Sequence, residues 1–330
     1  MCTAGKPASR RVLVVRLGAM GDILHTLPAV AWLKQIRPQW ELTWLVEPRW
    51  SPLLEGNPTV DRVMPLRRES LAGILDTRRQ LRVMNFDTAV DFQGLLKSAL
   101  PAAASGARER WGFDASQVRE SLAARFYTHR ICASAAHVVE RNLELAAACS
   151  GVAHADGPRA FPLPEGTVST GLPAGDFVLA SPLAGWASKQ WPMEHYGALA
   201  ARLREELGVP LVLDGPPGAD FTMVEAAMAH HSTLPELIYA TRRATAVVGV
   251  DSGPLHLAAA LGKPGVAIFG PTDPARNGPY GRSLRVLRTA GVATTYKRGA
   301  QIDESMRGIS PDAVFGALRE CLGRRPGSSA

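Results

Sequence analysis

Residues 247–274 read VVGVDSGPLHLAAALGKPGVAIFGPTDP, and their pattern decides the fold. The opening VVGV, residues 247–250, is a short β-branched run of the kind that fills a buried parallel strand. Asp251, Ser252 and Gly253 then make a tight loop. Pro254 falls at a first helical position, where its missing N–H costs nothing. The helix runs over residues 255–261 and stops at Gly262, with Pro264 behind it. Residues 265–270 form the next strand. A loop of this kind sets free backbone N–H groups and the positive end of a helix dipole at the C-terminal edge of a sheet. Anions bind in such places, phosphates above all. His256, on the first helical turn, can face the same point.

The same alternation extends outward through the chain. The N-terminal half reads as strands over 11–15, 41–46, 63–66 and 88–92, with helices over 22–36, 71–83, 97–104 and 137–149. A Pro/Gly-rich stretch, GPRAFPLPEG at 157–166, continues through Gly171 and Pro173 and reads as a linker. The pattern restarts with a strand at 177–180, a helix at 193–207 and a strand at 209–213. A helix near 220–230 and a last helix at 311–322, behind Ser310-Pro311, complete it. Alternating strands and helices imply α/β architecture with two doubly wound parallel-sheet domains facing across a cleft. The expected division is 1–160, a linker at 161–175, 176–309, and a C-terminal helix and tail at 310–330 that returns toward the first domain.

Length and composition agree. A chain of 330 residues exceeds what one core usually supports. With 46% hydrophobic and 20% charged residues it is globular rather than disordered. The net charge is +7, and 31 of the 37 basic residues are arginine. Arginine's planar fork suits phosphate and carboxylate. Arg67, Arg68, Arg78, Arg79 and Arg82 crowd together, and Arg108, Arg110, Arg119, Arg125 and Arg130 follow. The first half therefore offers many groups to an acidic substrate, an anionic membrane surface or nucleic acid. Aromatic residues are only 6%, which disfavours base stacking. Cys2, Cys132, Cys149 and Cys321 show no C-x-x-C spacing, MCTAGKPASRR lacks an apolar signal core, and no apolar run reaches membrane-spanning length. Reduced thiols in a cytosolic protein are expected.

Three loops carry candidate chemistry. The first, VVRLGAMGDILHTLP at 14–28, has Gly18-x-x-Gly21 rather than the G-x-G-x-x-G of a dinucleotide fingerprint. A plain tight turn is the simplest reading. Asp22 would repel a phosphate there; it could cap the helix or act as a general base toward a hydroxyl. The second, SPLAGWASKQWP at 181–192, puts Ser188 and Lys189 between a strand and a helix. A lysine there can hold a phosphate as a point charge, or simply be solvated. The third is the opening stretch. His256 alone could be a packed histidine and Asp251 a helix cap. With Gly270-Pro-Thr-Asp273-Pro they make one polar rim. No G-x-S-x-G, H-E-x-x-H or G-x-x-x-x-G-K-[ST] motif is present. His230-His231 reads as a solvated pair near a helix end.

Taken together, these segments resemble the bacterial lipopolysaccharide heptosyltransferases. VVRLGAMGDILHTLP at 14–28 is similar to their N-terminal signature, and DFQGLLKS at 91–98 to their D-x-Q-G-L-x-K-S segment. SKQWP at 188–192, DSGPLH at 251–256 and GPTDP at 270–274 match in the second half. Arg119-Glu120 and Val139-Glu-Arg-Asn142 lie where type I members carry arginines for their acceptor, which favours type I over type II.

The resemblance implies a GT-B fold with two Rossmann-like domains. It implies inverting transfer of L-glycero-D-manno-heptose from ADP-heptose to Kdo of the lipid A inner core, without a metal or other cofactor. By match, Asp22 is the general base. Ser188, Lys189, Asp251, Ser252, Gly253 and His256 serve the donor, Lys189 at its phosphates and Asp251 at a sugar hydroxyl. Arg67, Arg68, Lys97, Arg119 and Arg141 are the acceptor candidates. A monomer is expected, cytoplasmic and peripheral on the inner leaflet of the inner membrane, with no nucleic-acid partner. The chain departs from the family's pattern at Ala184-Gly185-Trp186, where some members have paired threonines, and at Ser252, which replaces threonine. The segment 214–220 is unlike the usual donor-ribose region, leaving Asp220 or Glu225 as candidates there.

Overall fold

The computed structural model describes residues 9–154, 157, 159–295 and 299–323. Cys2, most of the N-terminal stretch, Pro158 of the linker and the tail after Gly323 lie outside the described residues. The chain divides into two compact units between Pro164 and Glu165.

The first unit is a six-stranded sheet of β1 (Arg11–Val15), β2 (Glu41–Val46), β3 (Arg62–Pro65), β4 (Thr88–Asp91), β5 (Glu109–Phe113) and β6 (His129–Ile131). Its order is β3-β2-β1-β4-β5-β6, and every pairing is parallel. The helices α1 (Met20–Ile36) and α4 (Val138–Ser150) pack together. α2 (Leu71–Val83) packs on α3 (Leu96–Ala104), and α3 on a 3-10 turn at Ser121–Phe126. Strand β1 is apolar at four of its five positions, and all four are buried, as a central parallel strand requires. The strand order reverses between β1 and β4. The loops after these two strands therefore part at the C-terminal edge, where ligands bind in doubly wound sheets.

The second unit repeats the plan with β7 (Val178–Ser181), β8 (Leu211–Gly215), β9 (Met228–His231), β10 (Ala246–Val250), β11 (Gly265–Phe269) and β12 (Leu284–Arg288). The order is β12-β11-β10-β7-β8-β9, again all parallel. Its helices are α5 (Met193–Leu207), α6 (Leu234–Arg243), α7 (Gly253–Ala260), α10 (Pro311–Gly323) and the single turns α8 (Pro274–Asn277) and α9 (Glu304–Arg307). One face of the sheet is covered by α5 and α10 through Tyr196, Leu203, Phe315 and Leu318, with Trp191 from the loop before α5. The other is covered by α6 and α7 through Ala240, Leu255 and Ala258, against Phe177 and Phe269. Here the order reverses between β7 and β10, so the switch point lies between the loops that hold Lys189 and Asp251.

Three expectations change. The helix near 220–230 does not form. Pro216, Pro217 and Gly218 break the chain, the Asp220 carboxylate accepts from the Thr222 N–H at 2.9 Å, and residues 228–231 pair with β8 instead. The Ala-rich spelling of 226–229 suits a helix, but the open edge of β8 offers a ladder that local propensity cannot see. The actual helix, α6, begins behind Thr233, with Glu236 accepting from the Thr233 N–H at 2.8 Å. The C-terminal helix, expected to return toward the first unit, buries Val314, Phe315 and Leu318 in the core of the second. Strands β5, β6 and β12 escape a search for apolar runs because Glu109, Arg110, Arg130, Arg285 and Arg288 interrupt them.

Candidate active site

In the second unit, the site grows from the loops after β7 and β10. A short 3-10 turn, Ala187–Lys189, lifts Lys189 from the end of the β7 loop. Its Nζ lies 2.6 Å from Asp251 Oδ2 and 4.3 Å from the centre of the Trp186 ring. The Thr272 hydroxyl donates to the same oxygen at 2.7 Å, and His256 Nε2 is 3.6 Å from Oδ1. Burial alone would raise the Asp251 carboxyl. The His256 ring and the Lys189 charge overcome it and hold the group well below the usual carboxylate range. Asp251 is therefore a fixed anion and a poor base. Ser252 is the N-terminal boundary of α7 and makes no side-chain cap bond, and Gly253 opens the helix with Pro254 behind it. The Ser188 and Ser252 hydroxyls are buried, and neither has a hydrogen-bond partner among the described residues. Buried hydroxyls normally find partners. Two partnerless ones beside a lysine and a helix N-terminus make a place for an acceptor-rich anion.

In the first unit, Asp22 stands in the first turn of α1. Its Oδ2 accepts from the Ala19 N–H at 3.2 Å, and its Oδ1 lies 2.8 Å from Arg16. Arg16 is itself buried and donates to the Phe92 carbonyl, which ties the β1 loop to the β4 loop. Gln93 Oε1 accepts from the Leu17 N–H at 2.8 Å and adds a second tie. Beneath it, the buried Asp91 accepts from Tyr127 at 2.6 Å and Ser98 at 2.7 Å. Burial raises the Asp91 carboxyl against those hydrogen bonds. Asp22 keeps 47% of its side chain exposed, so the carboxylate is both aimed and reachable. Gly18 is needed beside it, since a Cβ there would meet Trp50 Nε1 at 2.7 Å.

Next to this loop, Glu47 closes β2 with only 8% of its side chain exposed. Arg68 lies 2.7 Å from it, Arg49 3.0 Å and Lys97 3.5 Å. One buried carboxylate thus gathers three cations and leaves an excess of positive charge.

A sequence model of glycosyltransferase family 9 (heptosyltransferase) matches residues 74–304. Lipopolysaccharide heptosyltransferase 1 of Escherichia coli K12 is 32% identical over 300 residues, spanning 84% of this chain and 93% of that protein. The Pseudomonas aeruginosa PAO1 protein of the same name is 33% identical over 301 residues, spanning 83% and 82%. The solved structure of E. coli heptosyltransferase WaaC with ADP, 28% identical, superposes with a TM-score of 0.79 over 94% of this chain and 99% of that one. The chain belongs to glycosyltransferase family 9. It is an enzyme of the heptosyl-transfer class on a two-sheet, GT-B-like frame.

The structure brings together only some of the residues that the family motifs point to. Ser188, Lys189, Asp251, Ser252, Gly253 and His256 share the second unit's switch point. Asp22 stands at that of the first. Arg68 and Lys97 meet at Glu47, whereas Arg67 pairs loosely with Asp76 at 4.0 Å on the α2 side. Arg119 is exposed, and its neighbour Glu120 accepts from the Leu96 N–H at 2.7 Å, anchoring that loop at the start of α3 beside Lys97. Arg141 sits apart on α4, stacked over Phe113. Asp220 is engaged in its own turn.

Four participants escaped the sequence reading. Thr272 lies within GPTDP, where Asp273 is the residue with the more evident chemistry, and Asp273 caps α8. Arg16, Glu47 and Arg49 are ordinary charged residues in sequence. Only their positions at the ends of β1 and β2 single them out. Of the histidine pair only His231 is exposed; His230 is buried in β9, with Nδ1 2.6 Å from Asp214 and Nε2 2.9 Å from the Ser169 hydroxyl. This chain of bonds fastens the segment after the unit boundary to the sheet. Among the described residues no group of three or more His, Cys, Asp or Glu could hold a metal ion, and no helix is long and apolar enough to cross a membrane.

Proposed function

We propose that this chain is a heptosyltransferase of type I, moving L-glycero-D-manno-heptose from ADP-heptose to a Kdo hydroxyl of the lipid A inner core, with inversion. The observation that carries the donor half is the Lys189–Asp251 pair with the partnerless Ser188 and Ser252 hydroxyls at the start of α7. As the glycosidic bond breaks, negative charge grows on the ADP diphosphate. Lys189, the two hydroxyls and the α7 N–H groups stabilise that charge in place, without a proton transfer to the leaving group. Asp251, held as an anion, accepts from a heptose hydroxyl and orients the sugar.

Asp22 serves as the base in the acceptor half. It takes the proton of the attacking Kdo hydroxyl while that oxygen bonds to the anomeric carbon and the ADP oxygen departs with the bonding electrons. The Kdo carboxylates and lipid A phosphates meet Arg68 and Lys97 at Glu47, together with Arg67, Arg119 and Arg141. Type I is favoured over type II by the 32% identity to the E. coli K12 type 1 enzyme against 27% to its type 2 counterpart. The enzyme works at the cytoplasmic face of the inner membrane, where a lipid-anchored acceptor is presented.

The test is a transfer assay with ADP-heptose and two acceptors, Kdo-lipid A and the same lipid already carrying one heptose. Product from the first alone supports type I. Product from the second alone makes the chain type II. A parallel melting-temperature screen should show stabilisation by ADP-heptose and not by UDP- or GDP-sugars.

A further inference from the structure

We infer that the α2–α3 layer of the first unit is a docking face for an anionic phospholipid surface. The first unit leaves large apolar side chains in water. Among the described residues of the first unit they are Leu71, Ile74, Leu75, Val83, Leu100 and Leu122. The first four belong to α2, Leu100 to α3, and Leu122 to the 3-10 turn at Ser121–Phe126. These three elements pack side by side. The opposite layer, α1 and α4, exposes none among the described residues. Scattered exposed leucines need no explanation, but a set confined to one layer does.

Helix α2 has an unusual distribution. Only Thr77 and Leu81 are buried. At about 100° per residue, Leu71, Ile74, Leu75, Arg78 and Arg82 fall in one outward stripe. Leu71 is 81% exposed and Leu75 63%. The stripe is apolar in its first turns and basic in its last. Arg79 flanks it, and exposed Lys97, Arg119 and Arg125 border Leu100 and Leu122. The nearby acids are few: Glu69 at the start of α2, Asp76 beside Arg67, and Glu120, whose carboxylate is engaged at Leu96. Apolar side chains rimmed by arginine match a bilayer interface, where the leucines enter the acyl boundary and the arginines reach lipid phosphates. A second copy of the chain is a poorer occupant, because a two-fold contact would set the same arginines against one another.

This inference deepens the reading of a membrane-borne acceptor. Vesicle binding needs neither donor nor acceptor, so its failure would leave the transfer reaction untouched. The experiment is co-sedimentation of the full chain with phosphatidylethanolamine–phosphatidylglycerol vesicles and with phosphatidylcholine vesicles. The wild type should bind the anionic vesicles, weaken with salt, and bind phosphatidylcholine poorly. The triple change Leu71→Ser, Ile74→Ser, Leu75→Ser and the pair Arg78→Glu, Arg79→Glu should each weaken binding by about tenfold or more. Arg78→Lys with Arg79→Lys should retain it. All variants should keep the wild-type thermal shift with ADP, which reports an intact second unit, and the wild-type far-UV spectrum. Unchanged binding in both disruptive variants, or equal binding to phosphatidylcholine, overturns the proposal. So does a leucine variant that only converts a dimer to a monomer on size exclusion.

Discussion

The two units use buried carboxylates in opposite ways. In the second, Asp251 faces Lys189 nearly one to one, with Thr272 and His256 completing the set. In the first, Glu47 faces Arg49, Arg68 and Lys97 at once. A matched pair stores a cation without leaving net charge in a partly apolar loop, so in the proposed donor role hydroxyls and backbone N–H groups share the work of meeting the diphosphate. An overmatched carboxylate does the reverse. It fixes flexible cations in place and keeps their excess charge for a polyanion. On the proposed assignment, the matched pair suits a charge that appears during the reaction, and the overmatched cluster suits charges that are present throughout.

That contrast can be broken most severely at the base. Asp22→Asn keeps the hydrogen bond from Ala19 but cannot take a proton. Transfer should fall by about 10²- to 10⁴-fold, read as single-turnover rate at saturating substrates. Next in size is Lys189→Ala, which removes the cation proposed to face the leaving group and should lower kcat/KM for the donor by about 10²- to 10³-fold. It also strands Asp251, so its melting temperature should drop. Adding Asp251→Asn should recover stability without recovering transfer, which separates the structural from the catalytic share of the pair.

Glu47→Gln sharpens the other half of the comparison. The three cations lose their anchor, and because they are partly exposed the loss is on the order of 1 kcal/mol, or about fivefold in acceptor KM. Donor KM should not move. The smallest effect concerns pH. The folded-state value of Asp251 lies below its unfolded value. Its stabilising contribution is therefore complete above about pH 4 and is lost as pH falls below that toward the depressed folded value. The stability gap between wild type and Asp251→Asn, measured by denaturant titration, should narrow over that acidic range and stay flat above it.

Much of this architecture was legible in sequence, and the limits have physical causes. The central strands β1 and β10 are buried on both faces, so they spell themselves as apolar runs. Glycine and proline at Gly262 and Pro264 mark where α7 must stop. The loops with Asp22, Lys189 and Asp251 follow such strands, and their position at the strand ends follows from the alternation itself. The edge strands β6 and β12 carry arginines because one side meets water, and short charged strands look like loops. Met228–His231 shows the same limit from another side. Ala229 and the preceding Ala226 and Ala227 fit a helix, and only the free edge of β8 makes the segment a strand. Glu47 and Arg16 were invisible for a different reason. Their distant partners, Arg68 behind β3 and Lys97 on α3 for Glu47 and the Phe92 carbonyl behind β4 for Arg16, come from other parts of the chain, and no local spacing records that meeting.

The central claim is a division of labour: the second unit holds the nucleotide diphosphate through Lys189, and Asp22 acts on the acceptor. Calorimetric titration of ADP into Asp22→Asn and Lys189→Ala tests it most directly. The account predicts that Asp22→Asn binds ADP within about twofold of wild type, while Lys189→Ala binds it at least about tenfold more weakly, as loss of a desolvated charge-assisted contact requires. Wild-type ADP affinity in Lys189→Ala, or a comparable loss in Asp22→Asn, would contradict it.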